Sequence, residues 1–198
     1  RYKFFMYTKK INLFLNNHYL YLLVLFILWY CFLGQKFINE PFIWDDLHLI
    51  RTYSIDELMS VWSGSWDPDG LETPSFRPIA TLFYHIQGVL FGEHVQIQKI
   101  FVFLLFYLLF ILIVNLLNKL NFLKIEIFLI SALLIFSKIF TTLASWMTMS
   151  HLIFCYILLF LCLINYLNWL EKNKIINIFF AILFGTGSIL TREEVYYI

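Results

Sequence analysis

Charge is scarce in this chain. Only 14% of the 198 residues are Asp, Glu, Lys or Arg, against 61% hydrophobic, and the mean hydropathy is +0.78. So few charged side chains cannot coat a soluble domain of this length, and the composition reads as a membrane protein. Lys and Arg total 14 and Asp and Glu 13, leaving a net charge of +1. That balance excludes a global basic field for nucleic acid and an acidic solvating tail, so any electrostatic function is local. Cysteine is also scarce: Cys31, Cys155 and Cys162 lie in or beside apolar runs, which argues against a disulfide framework and a zinc site. His18, His48, His85, His94 and His151 include no pair at i, i+4 on one expected helix, so interfacial hydrogen bonding is favoured over ligation. No Asn-x-Ser/Thr sequon and no fixed-period repeat occur. The runs Leu20 to Trp29, Phe101 to Val114 and Ile153 to Leu161 hold no Asp, Glu, Lys, Arg or His, which sets aside a transporter or channel.

What the chain has in abundance is apolar stretches long enough to cross about 30 Å of hydrocarbon. The expected architecture is all-α, a polytopic transmembrane helix bundle with spans at about 19–33, 100–116, 125–140, 151–168 and 175–190. Ile79 to Leu116 as one helix would measure about 57 Å, nearly twice the hydrocarbon thickness, so it must be two elements. Gly92 and the polar cluster Glu93, His94, Gln96, Gln98 and Lys99 supply the break. Residues 78–91 then form an interfacial helix and about 100–116 a span. Arg1, Lys3, Lys9 and Lys10 precede the first span and place the N-terminus in the cytoplasm, with Lys119, Lys124, Lys172 and Lys174 on the same side. The outer loop, 34–77, carries eight acidic residues against Lys36, Arg51 and Arg77, a charge of −5. The whole is expected to be a single membrane domain, the N-terminal part of a larger module.

Three motifs carry candidate chemistry. Asp45 and Asp46 follow Trp44 just outside the first span, where a carboxylate pair is costly unless paired or functional. Capping of a short loop helix is the equally weighted alternative, since Asp is a favoured N-cap and Leu47, Leu49 and Ile50 follow. Arg77 precedes Pro78 at the start of the interfacial helix, and a guanidinium beside free backbone N–H groups suits a phosphate-sized anion. An ion pair with the acidic loop is the blander reading for Arg77. Thr191-Arg192-Glu193-Glu194 places a second cation with carboxylates at the outer end of the last span.

Taken in order, these positions resemble a known family. The first span, Phe42 to Asp46, a loop ending in Phe76-Arg77-Pro78, an amphipathic helix leading to Phe91-Gly92, Ser150-His151-Leu152 opening the fourth span and Thr191-Arg192-Glu193 after the fifth are similar to the N-terminal part of the GT-C membrane glycosyltransferases. The likeness is greatest to the branch that includes the protein O-mannosyltransferases and their relatives carrying tetratricopeptide repeats, and it covers about Tyr19 to Glu194. It implies transfer of a sugar from a polyprenyl-phosphate carrier to an acceptor hydroxyl on the outer or lumenal face. On that reading an aspartate of the first loop is the general base, so Asp45 and Asp46 are the catalytic candidates; Asp45, nearer the first span, is the better placed, with Asp46 orienting it or an acceptor. Arg77 and Arg192 bind the donor phosphate, and His48 and Glu193 support the acceptor. A divalent metal is compatible with the carboxylate pair but not required, and no metal site is assigned. The partners implied are membrane lipid, the sugar-carrying lipid and further membrane subunits, with no nucleic acid. The competing class is a non-catalytic membrane subunit that keeps the fold and serves assembly of a larger complex.

Overall fold

A computed structural model of the chain describes residues 17–35, 41, 44–72 and 75–192. Among these residues every regular element is helical. Helix α1 (His18–Trp29) starts where the Asn17 side chain accepts the Leu20 N–H at 3.1 Å, and it continues as a π-helical turn, Tyr30–Gly34. The outer loop contains two short helices, α2 (Trp44–Leu49) and α3 (Ile55–Ser60). Ser54 and Glu57 close a reciprocal capping box at the start of α3. Pro78, whose φ is pre-set for a first turn, opens α4 (Pro78–Phe91). Gly92, at φ 51°, ends α4, and α5 (Val95–Lys119) begins three residues later. Ile79 to Leu116 is therefore two helices, with the break at Gly92.

The remaining elements are α6 (Lys124–Ile135), α7 (Lys138–Ser145), a 3-10 turn (Met147–Met149), α8 (Ser150–Lys172) and α9 (Ile175–Thr191). Among the described residues two stretches, Val95–Lys119 and Met147–Lys172, are long and apolar enough to cross a membrane. The expected single span at 125–140 is corrected: it breaks after Ile135, and α6 alone rises about 18 Å, short of the hydrocarbon thickness. Ser137 causes the break by accepting the Phe140 N–H at 3.1 Å as the cap of α7. The bend turns Phe140 into the core, where it packs on Phe106 and Phe110 with ring centres 4.2 and 5.2 Å away.

Long-range contacts fix how the helices run. Asn118 Nδ2 at the far end of α5 lies 3.1 Å from His18 Nε2 at the start of α1, while Trp29 stacks on Phe103, so α1 and α5 are antiparallel. Lys119 pairs with Glu171 at 2.9 Å, and the other end of α8 lies beside α4, so α5 and α8 run the same way. Residues 120–147 must return from one end of the bundle to the other, and they do so as the bent α6–α7 pair. At the centre, Phe26 meets Phe103, Tyr107, Phe110 and Phe140 edge to face, with centroids 5.2–5.8 Å apart. Small residues let α9 approach α8: a Cβ on Gly185 would lie 3.2 Å from Cys162 Sγ, and Ser188 Oγ donates to the Cys155 carbonyl at 3.0 Å.

Helix α4 is inside out by the standards of a water-soluble protein. Thr81, Tyr84 and Gln87 are fully buried, whereas Leu82, Ile86, Val89 and Leu90 are exposed. The outer loop is docked on its buried face. The Tyr53 N–H donates to His85 Nδ1 at 3.0 Å, the Thr81 hydroxyl donates to the Trp66 carbonyl, and Gly88 abuts the backbone of Arg51.

Candidate functional site

The two candidate aspartates part company in α2. Asp46 shares a helix face with Leu49 and Ile50, at i+3 and i+4, and all three are buried. Asp45, one step of about 100° round the helix, is half-exposed. Asp46 Oδ1 accepts the Thr148 N–H at 2.8 Å, at the 3-10 turn that leads into α8. A carboxylate there lies in the favourable field of the N-terminal end of a long helix. Helical phase thus turns Asp46 into the protein and leaves Asp45, the member of the pair expected to be the better placed, at the surface of the helix.

The element that gathers the site is Tyr84. Its hydroxyl lies 2.5 Å from the Thr148 carbonyl and 2.6 Å from His151 Nδ1. Burial pushes this phenol well above its ordinary pKa. Tyr53 and Asp46 add to the rise, while the positive charges of Arg77 and Arg192 oppose it. Asp46 and Tyr84 meet at one residue, Thr148, whose N–H donates to the first and whose carbonyl takes the hydroxyl of the second. Arg77 is the N-cap residue of α4, and its guanidinium carbon lies 5.2 Å from the centre of the Trp66 ring. Arg192 ends α9, which packs against α4. Trp66, itself buried, has its ring 6.1 Å from those of Tyr84 and His151. Below them, Gln87 Nε2 donates to Ser150 Oγ at 3.0 Å and ties α4 to the start of α8.

His48 is held elsewhere. Its Nε2 lies 3.1 Å from Asp67 Oδ1 and its Nδ1 3.6 Å from Asp69 Oδ2, within the outer loop. Glu193 lies outside the described residues, as do Phe42 of the Asp motif and the N-terminal cations. His48, Asp67 and Asp69 bring three metal-type ligand atoms within 4.8 Å of one another. Their capacity is already used. Asp67 accepts the N–H groups of Asp69, Leu71 and Glu72, and Asp69 holds Arg51 at 2.8 Å. Burial raises the Asp67 pKa, but the amide of Glu72, His48 and the amide of Asp69 outweigh it and hold the carboxyl below its usual range. These side chains lock the loop together with Arg51, which also reaches Glu57 at 3.0 Å.

Tyr84, Thr148 and Trp66 were absent from the candidate residues read in the sequence, where His151 entered as a hydrogen-bonding histidine and as part of the Ser150-His151-Leu152 motif. One signal for Tyr84 was present: Thr81, Tyr84, Gln87 and Gly88 recur at helical spacing through an otherwise apolar helix. Trp66 and Thr148 carry no local signal, since their roles come from contacts across the fold. No protein-family model, curated protein or solved structure matches the chain.

The cluster sets a buried carboxylate, a buried phenol and a buried imidazole around the start of α8, with Arg77 over the adjoining Trp66 ring. Chemically a carboxylate so placed can polarise a hydroxyl and accept its proton, and a guanidinium nearby can balance an oxyanion.

Proposed function

We propose that the chain is the polytopic membrane domain of a GT-C-type glycosyltransferase. In this reading α1, α5, the bent α6–α7 pair, α8 and α9 cross the bilayer and α4 lies in its outer interface. The N-terminus is cytoplasmic, on the side where Lys119, Lys124, Lys172 and Lys174 collect. The inside-out α4 supports this placement, because apolar side chains turned away from the protein suit a lipid surface. An apolar groove of about 340 Å³ lined by Ile27, Tyr30, Ile100 and Phe103 supports a long-chain lipid partner.

The observation that carries the catalytic reading is the buried Asp46 carboxylate, which accepts the Thr148 N–H at the start of α8 while the Tyr84 hydroxyl meets the carbonyl of the same residue. The acceptor hydroxyl oxygen attacks the anomeric carbon of the carrier-bound sugar. Its proton passes to the Asp46 carboxylate, the bond from that carbon to the phosphate oxygen breaks, and the polyprenyl phosphate leaves with its charge balanced by Arg77 and Arg192. Asp45 is left with an orienting role at the rim.

The test is to measure sugar transfer and carrier-lipid binding separately in the full-length protein. Asp46→Asn is expected to lower transfer by about a hundredfold or more while lipid binding persists, in line with the loss of a general base. Asp45→Asn is expected to cost far less, and Arg77→Ala to weaken lipid-phosphate binding. Wild-type turnover in Asp46→Asn would remove the base assignment. A second reading, a non-catalytic subunit, is favoured by one contact: Asp46 accepting the Thr148 N–H is also what a structural anchor for α8 requires. It predicts no transfer by wild type and a lower melting temperature for Asp46→Asn.

A further inference from the structure

The outer loop and the C-terminal end of α4 enclose a cavity of about 270 Å³ whose lining shares no residue with the cluster around Tyr84. From the loop come Leu47 and Ile50, which are apolar, and then Arg51 and Thr52. From α4 come Gly88 and Gly92, one turn apart, so that backbone stands where side chains would fill the space. The exposed Glu93 completes the lining.

The charges around this cavity are unequal. Arg51 supplies its cation, but one guanidinium nitrogen is already shared by Glu57 at 3.0 Å and Asp69 at 2.8 Å. Glu93 adds a third carboxylate, and among the described residues no hydrogen bond or ion pair occupies it. The carbonyl end of α4 at Gly92 contributes further partial negative charge. Three carboxylates against one guanidinium favour a cationic ligand. A separate observation adds a second requirement: Arg51 Nε is buried without a hydrogen-bond partner, so a ligand seated there must bring it an acceptor.

These requirements separate the cations that could enter. The ammonium of a phospholipid arrives with a phosphate, which Glu57 and Asp69 repel. A bare metal ion leaves both the apolar residues and the Arg51 N–H unused. A lysine within a polypeptide meets every requirement, with its ammonium for Glu93, its methylene stem for Leu47 and Ile50, and a neutral backbone carbonyl for Arg51 Nε. We infer that this cavity binds a lysine side chain of a polypeptide segment. Its occupation needs neither donor lipid nor Asp46, so it stands or falls apart from the transfer reading above.

The experiment is an NMR titration of the full-length protein with three probes: Nα-acetyl-lysine N-methylamide, its norleucine counterpart and a short-chain phosphatidylethanolamine. The norleucine compound keeps the stem and both amides and lacks only the ammonium. Wild type is expected to bind the lysine compound about fivefold more tightly than the norleucine compound, the upper range for an ion pair near the surface. Glu93→Gln is expected to remove that preference with an unchanged melting temperature, since the side chain is exposed, and added salt to shrink it in wild type. Equal affinity of wild type for the lysine and norleucine compounds, or a preference that survives in Glu93→Gln, overturns the assignment. So does tighter binding of the phosphatidylethanolamine than of the lysine compound, and so does a lysine compound that fails to bind wild type.

Discussion

Gly88→Ala is the substitution whose sign separates two accounts of α4. In the interior of an exposed helix the change would stabilise by about 1 kcal/mol, because alanine is the better helix former. At Gly88 the added carbon would lie 2.5 Å from the Arg51 carbonyl oxygen and 2.9 Å from its Cα. Ordinary carbon contacts lie at about 3.5–4.0 Å, so α4 and the loop must separate by about 1 Å. Both surfaces are backbone, and no flexible side chain can give way. Overpacking of this kind costs about 1–3 kcal/mol. The separation also strains the bond from the Tyr53 N–H to His85 Nδ1, a net loss of about 1 kcal/mol. Against the helix-former gain, the sum is a destabilisation of about 1–3 kcal/mol. Thermal unfolding of purified protein, with limited proteolysis of 44–72, reads the effect. Gly64→Ala serves as the control, since its nearest neighbour is the Ser60 carbonyl at 3.3 Å. A Gly88→Ala protein melting at or above wild type, with the loop equally protected, would refute the close approach.

Three further outcomes are expected. Phe83→Ala should destabilise by about 3–5 kcal/mol in denaturant unfolding, because the ring is buried and stacked at 4.6 Å and 6° on Phe154; a value near zero would deny that α4 and α8 share a core. Asp67 has a folded pKa below its ordinary value, so its carboxylate contributes stability that is present above about pH 4 and lost as pH falls through the folded value. Protease cleavage within 44–72 should rise on acidification below that point, and Asp67→Asn should show the raised cleavage already at neutral pH; a pH-independent wild type would contradict this. Gly185→Leu should push α9 off α8 and lower the melting temperature by several degrees, whereas unaltered melting would mean that the small residues do not set the approach.

The parts legible in the sequence were those with a local cause. Gly92 among polar residues marked the end of α4, and Pro78 its beginning, because both act through their own backbone. The bend at Ser137 was harder to read. A single serine in an apolar run is compatible with a continuous helix, and here its capping bond is reinforced by the packing of Phe140 on residues from α1 and α5. Asp46 could have been separated from Asp45 by asking which one shares a face with Leu49 and Ile50. Proximity to the first span, the criterion that favoured Asp45, ignores the 100° turn between neighbours. The roles of Thr148 and Trp66 had no sequence signature, since they depend on backbone atoms meeting residues far away in the chain.

The reversed polarity of α4 bears on the order in which the molecule can be assembled. A 14-residue helix of about 21 Å that hides Thr81, Tyr84 and Gln87 and displays Leu82, Ile86, Val89 and Leu90 has no stable orientation against water by itself. Its inward residues need partners that come later in synthesis, Thr148 and Ser150 of the α8 start. The outer loop is made before α4 yet has no platform until α4 is seated, so the nascent chain must hold 44–72 in waiting. In that sequence of events the site forms last, when α8 arrives and Thr148 reaches Asp46 across 102 residues of chain.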